Sequence, residues 1–226
     1  MKEKIKLKFY DFDNTICEPL PLTFSTSFYK GKKILPVKDF ISLLREMEYH
    51  DIVSYNKNHA IVSCADLSKG VVFYRNTRAK LKKIGVEFRS ELLDAVEKTE
   101  QGKKLTLLNK FKEDSETNKV NTYIITARPD MKKNPGANSI EAIEKFLKKH
   151  GAAIPRTNIR CVNSAGLNKQ KEIRTIIRHL GSRNVSQFEF YDDDMKNIDY
   201  VKKLEKEFPN ILVKCFIVDK NRIQLK

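Results

Sequence analysis

The sequence is poor in the features that mark fibrous, disulfide-bonded and membrane-spanning proteins. Glycine and proline together number only 15 of 226 residues, which excludes a collagen-like, mucin-like or low-complexity chain. The four cysteines form no CxxC pair and the four histidines show no ligand spacing, so zinc-ribbon and thioredoxin-type sites are excluded. No apolar run approaches about 18 residues, and the N-terminus has no apolar leader segment. We therefore expect a cytoplasmic protein with reduced thiols and no membrane insertion.

Acidic residues are too few to balance the basic ones. Lys and Arg number 44 and Asp and Glu 29, which gives a net charge of +15. Such a charge favours anionic partners: nucleic acid, nucleotides, other phosphorylated solutes or an anionic membrane surface. A coding bias towards lysine is the alternative explanation. The chain is 40% hydrophobic and 32% charged, as expected for one globular domain or one domain carrying an insertion.

Predicted strands and helices alternate from about residue 105 onward. The strand-like segments are IKLKFYDF at the N-terminus, NTYIIT (121–126), NIRCVN (158–163), QFEFYD (187–192) and ILVKCFIV (211–218). In the first of them Ile5, Leu7 and Phe9 share one face. This alternation predicts an α/β fold with a doubly wound, Rossmann-like parallel sheet in which the N-terminal strand is central.

The middle of the chain interrupts this alternation, and we interpret it as an insertion that covers one end of the sheet. The patterns predict a loop after Pro19 and Pro21, a helix over 38–48 and two strands over 60–75 around a turn at Ser68–Gly70. They also predict helical segments over 76–84 and 90–112, the second with a candidate interruption at Gly102. The predicted domains are a core of residues 1–20 and 105–226 and an inserted cap of residues 21–104.

Polar side chains of catalytic type follow three of the predicted strands. Asp11, Asp13, Asn14 and Thr15 follow the first strand, Thr126 and Arg128 the second, and Asp192, Asp193 and Asp194 the fourth. Ligands bind at the carboxyl ends of strands in open α/β sheets. Adjacent carboxylates repel each other unless a cation or a basic group relieves the repulsion. Two acidic clusters facing one crevice provide the oxygen ligands of a Mg²⁺ site, and the Mg²⁺ would accept a phosphate.

These segments resemble the motifs of haloacid dehalogenase (HAD) superfamily phosphatases. FYDFDNTI resembles the hhhDxDxT signature, TYIITAR the second motif, and EFYDDDMKNID the acidic fourth motif. Lys169 or Lys171 lies where the third-motif lysine is found. The four motifs occur in order from residue 5 to residue 199, so the resemblance covers the core and not the insertion. The insertion lies between the first two motifs, which is the C1 cap position of that superfamily.

The resemblance implies a Mg²⁺-dependent phosphomonoester hydrolase that works through an aspartyl-phosphate. Asp11 would be the nucleophile, and Asp13 would be first the general acid and then the base. Thr126 would hydrogen-bond the phosphoryl oxygens, and the lysine would neutralise charge. Mg²⁺ would be held by Asp11, the main-chain carbonyl of Asp13 and the acidic cluster.

Several site assignments stay open in the sequence. Lys169 is preferred to Lys171 because the apolar residues that follow it at plus four and plus seven resemble the usual lysine-to-helix spacing of that superfamily. Asp192 and Asp193 are the preferred metal ligands of the acidic cluster, while Asp194 is a candidate N-cap of the next helix. The residues assigned to substrate are Asn14, Thr15 and Arg128; for Arg128, pairing with an acidic neighbour is an equal alternative.

The sequence is also compatible with more than one class of substrate. Residues 69–86 carry six basic and no acidic side chains, with Phe73 and Tyr74 among them, a composition that suits a phosphodiester backbone and stacked bases. A solvated helix face is the alternative. The predicted substrates are nucleotides or nucleic-acid terminal phosphates, as in the phosphatase half of polynucleotide kinase-phosphatases, whose motifs these resemble; no GxxxxGK[ST] accompanies them. The alternatives are a small-metabolite phosphatase and a non-catalytic nucleic-acid-binding protein.

Overall fold

The computed structural model describes residues 4–45, 50–64, 78–118, 121–128, 138–162, 165–219 and 222–226. The strands are β1 (Ile5–Tyr10), β2 (Cys17–Glu18), β3 (Leu22–Lys30), β4 (Lys33–Leu35), β5 (His50–Tyr55), β6 (Ala60–Cys64), β7 (Glu87–Leu92), β8 (Lys103–Lys104), β9 (Thr122–Thr126), β10 (Ile159–Cys161), β11 (Val185–Asp192), β12 (Leu212–Asp219) and β13 (Arg222–Leu225). The helices are α1 (Ile41–Arg45), α2 (78–83), α3 (Ala95–Glu100), α4 (Leu107–Thr117), α5 (Ser139–Lys149), α6 (Leu167–Leu180), α7 (Met195–Lys202) and α8 (Leu204–Glu207).

The chain divides into two compact units. The first comprises Met1–Pro19, Thr99–Asp130 and Ser139–Lys226, and the second comprises Leu20–Lys98 with Met131–Asn138. The predicted insertion, 21–104, covers residues 21–98 of the second unit and residues 99–104 of the first. It does not include Leu20 and Met131–Asn138, which also belong to the second unit.

The first unit is built on a six-stranded sheet of order β10-β9-β1-β11-β12-β13. The first five strands are parallel to their neighbours, and β13 is antiparallel to β12. The prediction of an α/β fold with an internal N-terminal strand is confirmed, and the sheet is Rossmann-like. It is mixed rather than purely parallel, because β13 adds an antiparallel edge that the sequence pattern did not indicate.

Helices cover both faces of this sheet. Successive side chains of β1 point to opposite faces, and apolar side chains on each face are buried against helices. Leu7 and Phe9 point to one face, as predicted, and pack in a core with α6, α7 and α8. Tyr10 points to the other face and packs in a core with α4 and α5. Every residue of β9 is buried, as expected for a parallel strand that is covered on both faces.

The second unit is an antiparallel sheet. β3 pairs with β4, β6 and β7, and β5 pairs with β6. Its core includes Phe28, Val37, Leu44, Val62 and Leu81.

Two sequence predictions in this region were wrong in part, and a third lies outside the described residues. Residues 22–30 form a strand rather than a loop, because they pair with β4, β6 and β7. The predicted helix over 38–48 is a 3-10 turn, Val37–Phe40, followed by the short α1, and its last residues lie outside the described ones. The predicted turn at Ser68–Gly70 and the strand after it also lie outside them.

The helical segment predicted over 90–112, with a candidate interruption at Gly102, is instead the end of β7 followed by α3, β8 and the start of α4. Residues 87–92 are held extended because they pair with β3, and such tertiary pairing overrides local propensity. The helical stretch is interrupted at Gly102, where β2 approaches closely. A Cβ atom on Gly102 would lie 2.6 Å from the Cys17 Sγ, so only glycine allows this approach.

Candidate active site

The register of three strands brings the predicted acidic residues to one edge of the sheet. Tyr10 pairs with Ile124 of β9 on one side and with Tyr191 of β11 on the other. The Asp11 amide extends the ladder by donating a hydrogen bond to the Tyr191 carbonyl at 2.8 Å. Asp11 and Asp192 therefore leave neighbouring parallel strands side by side, at the carboxyl edge where ligands bind in such sheets.

Lys169 bridges these two aspartates. Its Nζ lies 2.8 Å from Asp11 Oδ1 and 2.7 Å from Asp192 Oδ2. The lysine side chain is 1% exposed and Asp192 is fully buried. Lys171, the other sequence candidate, is exposed on α6. The structure thus places Lys169, and not Lys171, at the acidic cluster.

The start of α6 is fixed so that Lys169 points at the strand ends. The Gly166 amide donates to Asn197 Oδ1 at 2.6 Å, and Gly166 has a φ of 61°, a conformation that favours glycine. Asn197 Nδ2 in turn donates to Asp192 Oδ1 at 2.8 Å. Asn197 therefore ties the helix that carries Lys169 to the carboxylate that Lys169 binds. It was missed in the sequence, where no spacing distinguishes it from other helix residues.

Both carboxylate oxygens of Asp192 accept hydrogen bonds, which fix the side chain in place. Oδ2 accepts from Lys169, and Oδ1 accepts from Asn197 and, at 2.9 Å, from the Asp194 amide. The Asp194 side chain accepts a hydrogen bond from the Lys196 amide and is the N-cap of α7, as expected. Asp193 lies between them and is exposed.

The charges at this edge perturb one another. Burial raises the pKa of Asp11 well above its usual value, Lys169 opposes that rise, and the negative charges of Asp192 and Asp193 add to it. Desolvation, followed by the charge of Asp192, raises the pKa of Asp193 to about 7. Burial alone would lower the pKa of Lys169, but Asp11 and Asp192 raise it, so the lysine stays a cation. One positive charge is therefore surrounded by three carboxyl groups.

The donor set of this cluster fits a divalent cation that prefers oxygen. One carboxylate oxygen from each of Asp11, Asp192 and Asp193 lies within 4.8 Å of the others. Carboxylate oxygens are what Mg²⁺ and Ca²⁺ take in proteins, usually with water completing the shell. The side chain of Asp13, in contrast, is engaged elsewhere.

Asp13 is bound by Arg128. The guanidinium donates from Nε to Asp13 Oδ2 at 2.8 Å and from a terminal nitrogen to Oδ1 at 2.6 Å. Its other terminal nitrogen donates to Thr99 Oγ1 at 2.8 Å, and its carbon lies 5.0 Å from the centre of the Phe12 ring. Arg128 is only 4% exposed. Of the two alternatives for Arg128, the structure shows the acidic partner; contact with a substrate phosphate stays a prediction.

The turn that follows β1 carries the remaining candidates. Ile16 and Cys17 amides both donate to the Phe12 carbonyl, and the Asn14 amide donates to the Cys17 carbonyl at 2.7 Å, with Asn14 at a φ of 57°. Asn14 is exposed, whereas Thr15 is fully buried. Among the described residues, the Thr15 hydroxyl has no hydrogen-bond partner. Their assignment to substrate stays a prediction.

Thr126 ends β9 and is 1% exposed. Its Oγ1 accepts a hydrogen bond from the Arg128 amide at 3.2 Å, which fixes the side chain at the strand end. All of these candidates lie in the first unit: Asp11, Asp13, Asn14, Thr15, Thr126, Arg128, Lys169, Asp192 and Asp193. The arrangement combines a buried carboxylate nucleophile candidate, a lysine cation and oxygen ligands at one sheet edge.

Comparisons of the chain with protein-family models, with curated proteins and with solved structures found no match. Among the described residues, no helix has both the length and the apolar character needed to cross a bilayer.

Proposed function

We propose that this protein is a Mg²⁺-dependent phosphomonoester hydrolase of the HAD type, which works through an aspartyl-phosphate on Asp11. The observation that carries the proposal is the Lys169 ion pair with Asp11 and Asp192, beside a third carboxylate, at the carboxyl edge of a parallel sheet. A carboxylate can attack a phosphate dianion only where cations neutralise the repulsion between them. This cluster has one fixed cation and the ligands for a second.

In the first proposed step an oxygen of Asp11 attacks phosphorus, and the bond from phosphorus to the leaving oxygen breaks. Asp13 gives its proton to that oxygen, which leaves as an alcohol. Lys169 holds Asp11 and stabilises the added negative charge, and Thr126 donates to a phosphoryl oxygen. Mg²⁺ on Asp11, the Asp13 carbonyl, Asp192 and Asp193 would supply further charge neutralisation.

In the second step Asp13 takes a proton from water, the water oxygen attacks phosphorus, and the Asp11–phosphate bond breaks to release phosphate. The two hydrogen bonds from Arg128 hold the Asp13 carboxyl group in one orientation, so both proton transfers take place at a fixed position.

The proposed substrates are nucleotides or nucleic acids with a terminal phosphate. The net charge of +15 supports an anionic substrate, because a strongly basic protein attracts phosphorylated partners. Small phosphorylated metabolites are the competing class.

The test is phosphate release from a panel with and without Mg²⁺: an aryl phosphate, nucleoside monophosphates, a sugar phosphate, and oligonucleotides phosphorylated at the 5′ or the 3′ end. We expect release that requires both Mg²⁺ and Asp11, with Asp11→Asn as the matched inactive variant. A sugar phosphate preferred over every nucleotide would overturn the substrate class alone. Release that is equal in wild type and Asp11→Asn would overturn the proposed function.

A further inference from the structure

A second group of cations lies on the first unit, away from the acidic cluster. It consists of Lys104 at the end of β8, Lys112 on α4 and Lys149 at the end of α5, whose charges all act on His150; we call these three lysines the lysine cluster. The Lys112 Nζ lies 3.4 Å from where a Cβ on Gly151 would be, and the Lys149 Nζ donates to the Glu100 carbonyl at 2.9 Å. Lys104 and Lys149 are exposed, and Lys112 is half-buried.

The carboxylates of the described residues do not neutralise the positive charge of this cluster. Among the described residues, none of its three lysines has a carboxylate within ion-pair distance, whereas Lys8, Lys110 and Lys145 all do. Burial first, and then the charges of the three lysines, lower the pKa of His150. Like charges grouped without counter-charge repel one another, and a bound anion relieves that repulsion.

The cluster is connected to the candidate active site through two consecutive residues. Arg128, which binds Asp13, donates to the Thr99 hydroxyl, and the next residue, Glu100, accepts from Lys149. A chain of phosphates that begins at the Asp11 site would find these unpaired cations on the same unit.

We infer that the lysine cluster binds the backbone phosphates of a single-stranded nucleic acid whose terminal phosphate occupies the Asp11 site. This inference rests on the proposed function, because the direction of the strand is set by the site of hydrolysis. Its phosphate contacts position the strand and carry no sequence preference. An extended single strand can present successive phosphates to side chains that follow the surface, as in other nonspecific single-strand sites.

The composition of the surface favours nucleic acid over a membrane. Membrane-surface helices combine basic residues with large exposed apolar side chains that enter the lipid. The exposed large hydrophobic residues of the described chain include Tyr55, Leu167, Met195 and Leu225, and none of them lies in β8, α4 or α5. The cluster therefore offers charge without an apolar anchor.

The test measures binding of a fluorescent, 5′-phosphorylated 12-nucleotide strand by anisotropy, in the Asp11→Asn background so that no turnover occurs. The cluster variant is Lys104→Gln, Lys112→Gln and Lys149→Gln together. The matched control neutralises three exposed cations elsewhere on the first unit: Arg183→Gln, Lys206→Gln and Arg222→Gln. Both variants lose the same net charge, and thermal unfolding checks that both stay folded.

We expect the cluster variant to bind at least about tenfold more weakly and the control within about twofold of the parent. Each phosphate contact on a single strand contributes about 0.7 to the slope of log affinity against log salt, so the cluster variant should lose about 2 from that slope. Equal losses in the two variants, or binding to phosphatidylserine vesicles with none to the oligonucleotide, would overturn the inference. Because binding is measured without turnover, failure of the phosphatase assay with cluster-dependent binding intact would overturn the proposed function alone.

Discussion

Two buried cations, Lys169 and Arg128, lie at the same edge of the sheet, and they differ in how many carboxylates each one binds. Lys169 is shared between two carboxylates, Asp11 and Asp192, with Asp193 close by. Arg128 is committed to one carboxylate, Asp13, which it binds through two nitrogens. The first arrangement leaves an excess of negative charge, and the second is balanced.

The difference indicates a division of work between the two aspartates of the first motif. Asp11 lies in an excess of negative charge that a further cation would relieve, which suits a metal-assisted nucleophile. Asp13 lies in a neutral, geometrically fixed pair, which suits a group that transfers protons at one position. Removal of Lys169 should therefore impair the nucleophilic attack by Asp11, whereas removal of Arg128 should impair proton transfer by Asp13.

The largest effect is expected from Asp11→Asn. The substitution keeps the volume of the side chain but removes the attacking oxygen, so phosphate release should fall at least about 1000-fold, or about 4 kcal/mol in the barrier. Circular dichroism should show an unchanged fold. Activity within about tenfold of wild type would mean that Asp11 is not the nucleophile.

Lys169→Ala should have the next largest effect. It leaves Asp11 and Asp192 side by side without their shared cation, so we expect a loss of about 100-fold or more in kcat. We also expect a loss of about 3–5 kcal/mol in the free energy of unfolding, because breaking a buried pair leaves an uncompensated charge. Lys171→Ala is the matched control and should lie within about twofold of wild type in both measurements. Comparable losses in the two variants would contradict the assignment of Lys169.

Arg128→Ala should distinguish the role of the Arg128–Asp13 pair from that of the Lys169 ion pairs, because its effect should depend on the leaving group. If Arg128 only positions Asp13, its loss should matter most where the leaving group needs a proton. We expect kcat to fall about 100-fold for an alkyl or nucleoside phosphate and less than about tenfold for an activated aryl phosphate. Arg128→Lys, which keeps the charge but not the two-pronged geometry, should give the same pattern in weaker form. Equal losses for all leaving groups would indicate that Arg128 contacts the transferred phosphate instead.

The smallest effect concerns Asp193 in metal-free protein. A carboxyl whose pKa is raised to about 7 binds its proton more tightly in the folded state, so the free energy of unfolding should fall as pH rises from about 4 through 7. Asp193→Asn should flatten this dependence and raise stability at pH 8 by about 1 kcal/mol, a modest value because the side chain is exposed and screened. Thermal unfolding against pH measures it, and Mg²⁺ should stabilise wild type more than the variant. A pH profile identical in both proteins would contradict the assigned environment of Asp193.

The sequence predicted the six-stranded sheet of the first unit better than the antiparallel sheet of the second unit, for a physical reason. The strands of a parallel sheet are buried on both faces and appear as nearly continuous apolar runs, as TYIIT of β9 does. β13 is a short and wholly exposed edge strand, so no burial pattern marks it. β3 and β7 depend on pairing with each other across more than fifty residues, and neither carries a local signal that outweighs their polar composition.

The candidate site also contains some residues that the sequence could place and others that it could not. Asp11 and Asp192 could be placed together because both end strands of one sheet, and Lys169 because its helix precedes that strand. The partners that hold these groups could not be predicted. Thr99 reaches Arg128, and Asn197 reaches Asp192 and Gly166, only through the tertiary fold, and neither spacing nor residue type marks them.

The most direct test of the central claim is to trap the phosphorylated carboxylate itself. In Asp13→Asn, an activated aryl phosphate should still transfer its phosphoryl group, since its leaving group needs no acid, while hydrolysis stalls for lack of the base. Acid quenching followed by mass spectrometry should then find one phosphoryl group on the peptide that contains Asp11, and none when Asp11→Asn is added. Release of phosphate by wild type, with no phosphorylated Asp11 in the stalled variant, would contradict the account.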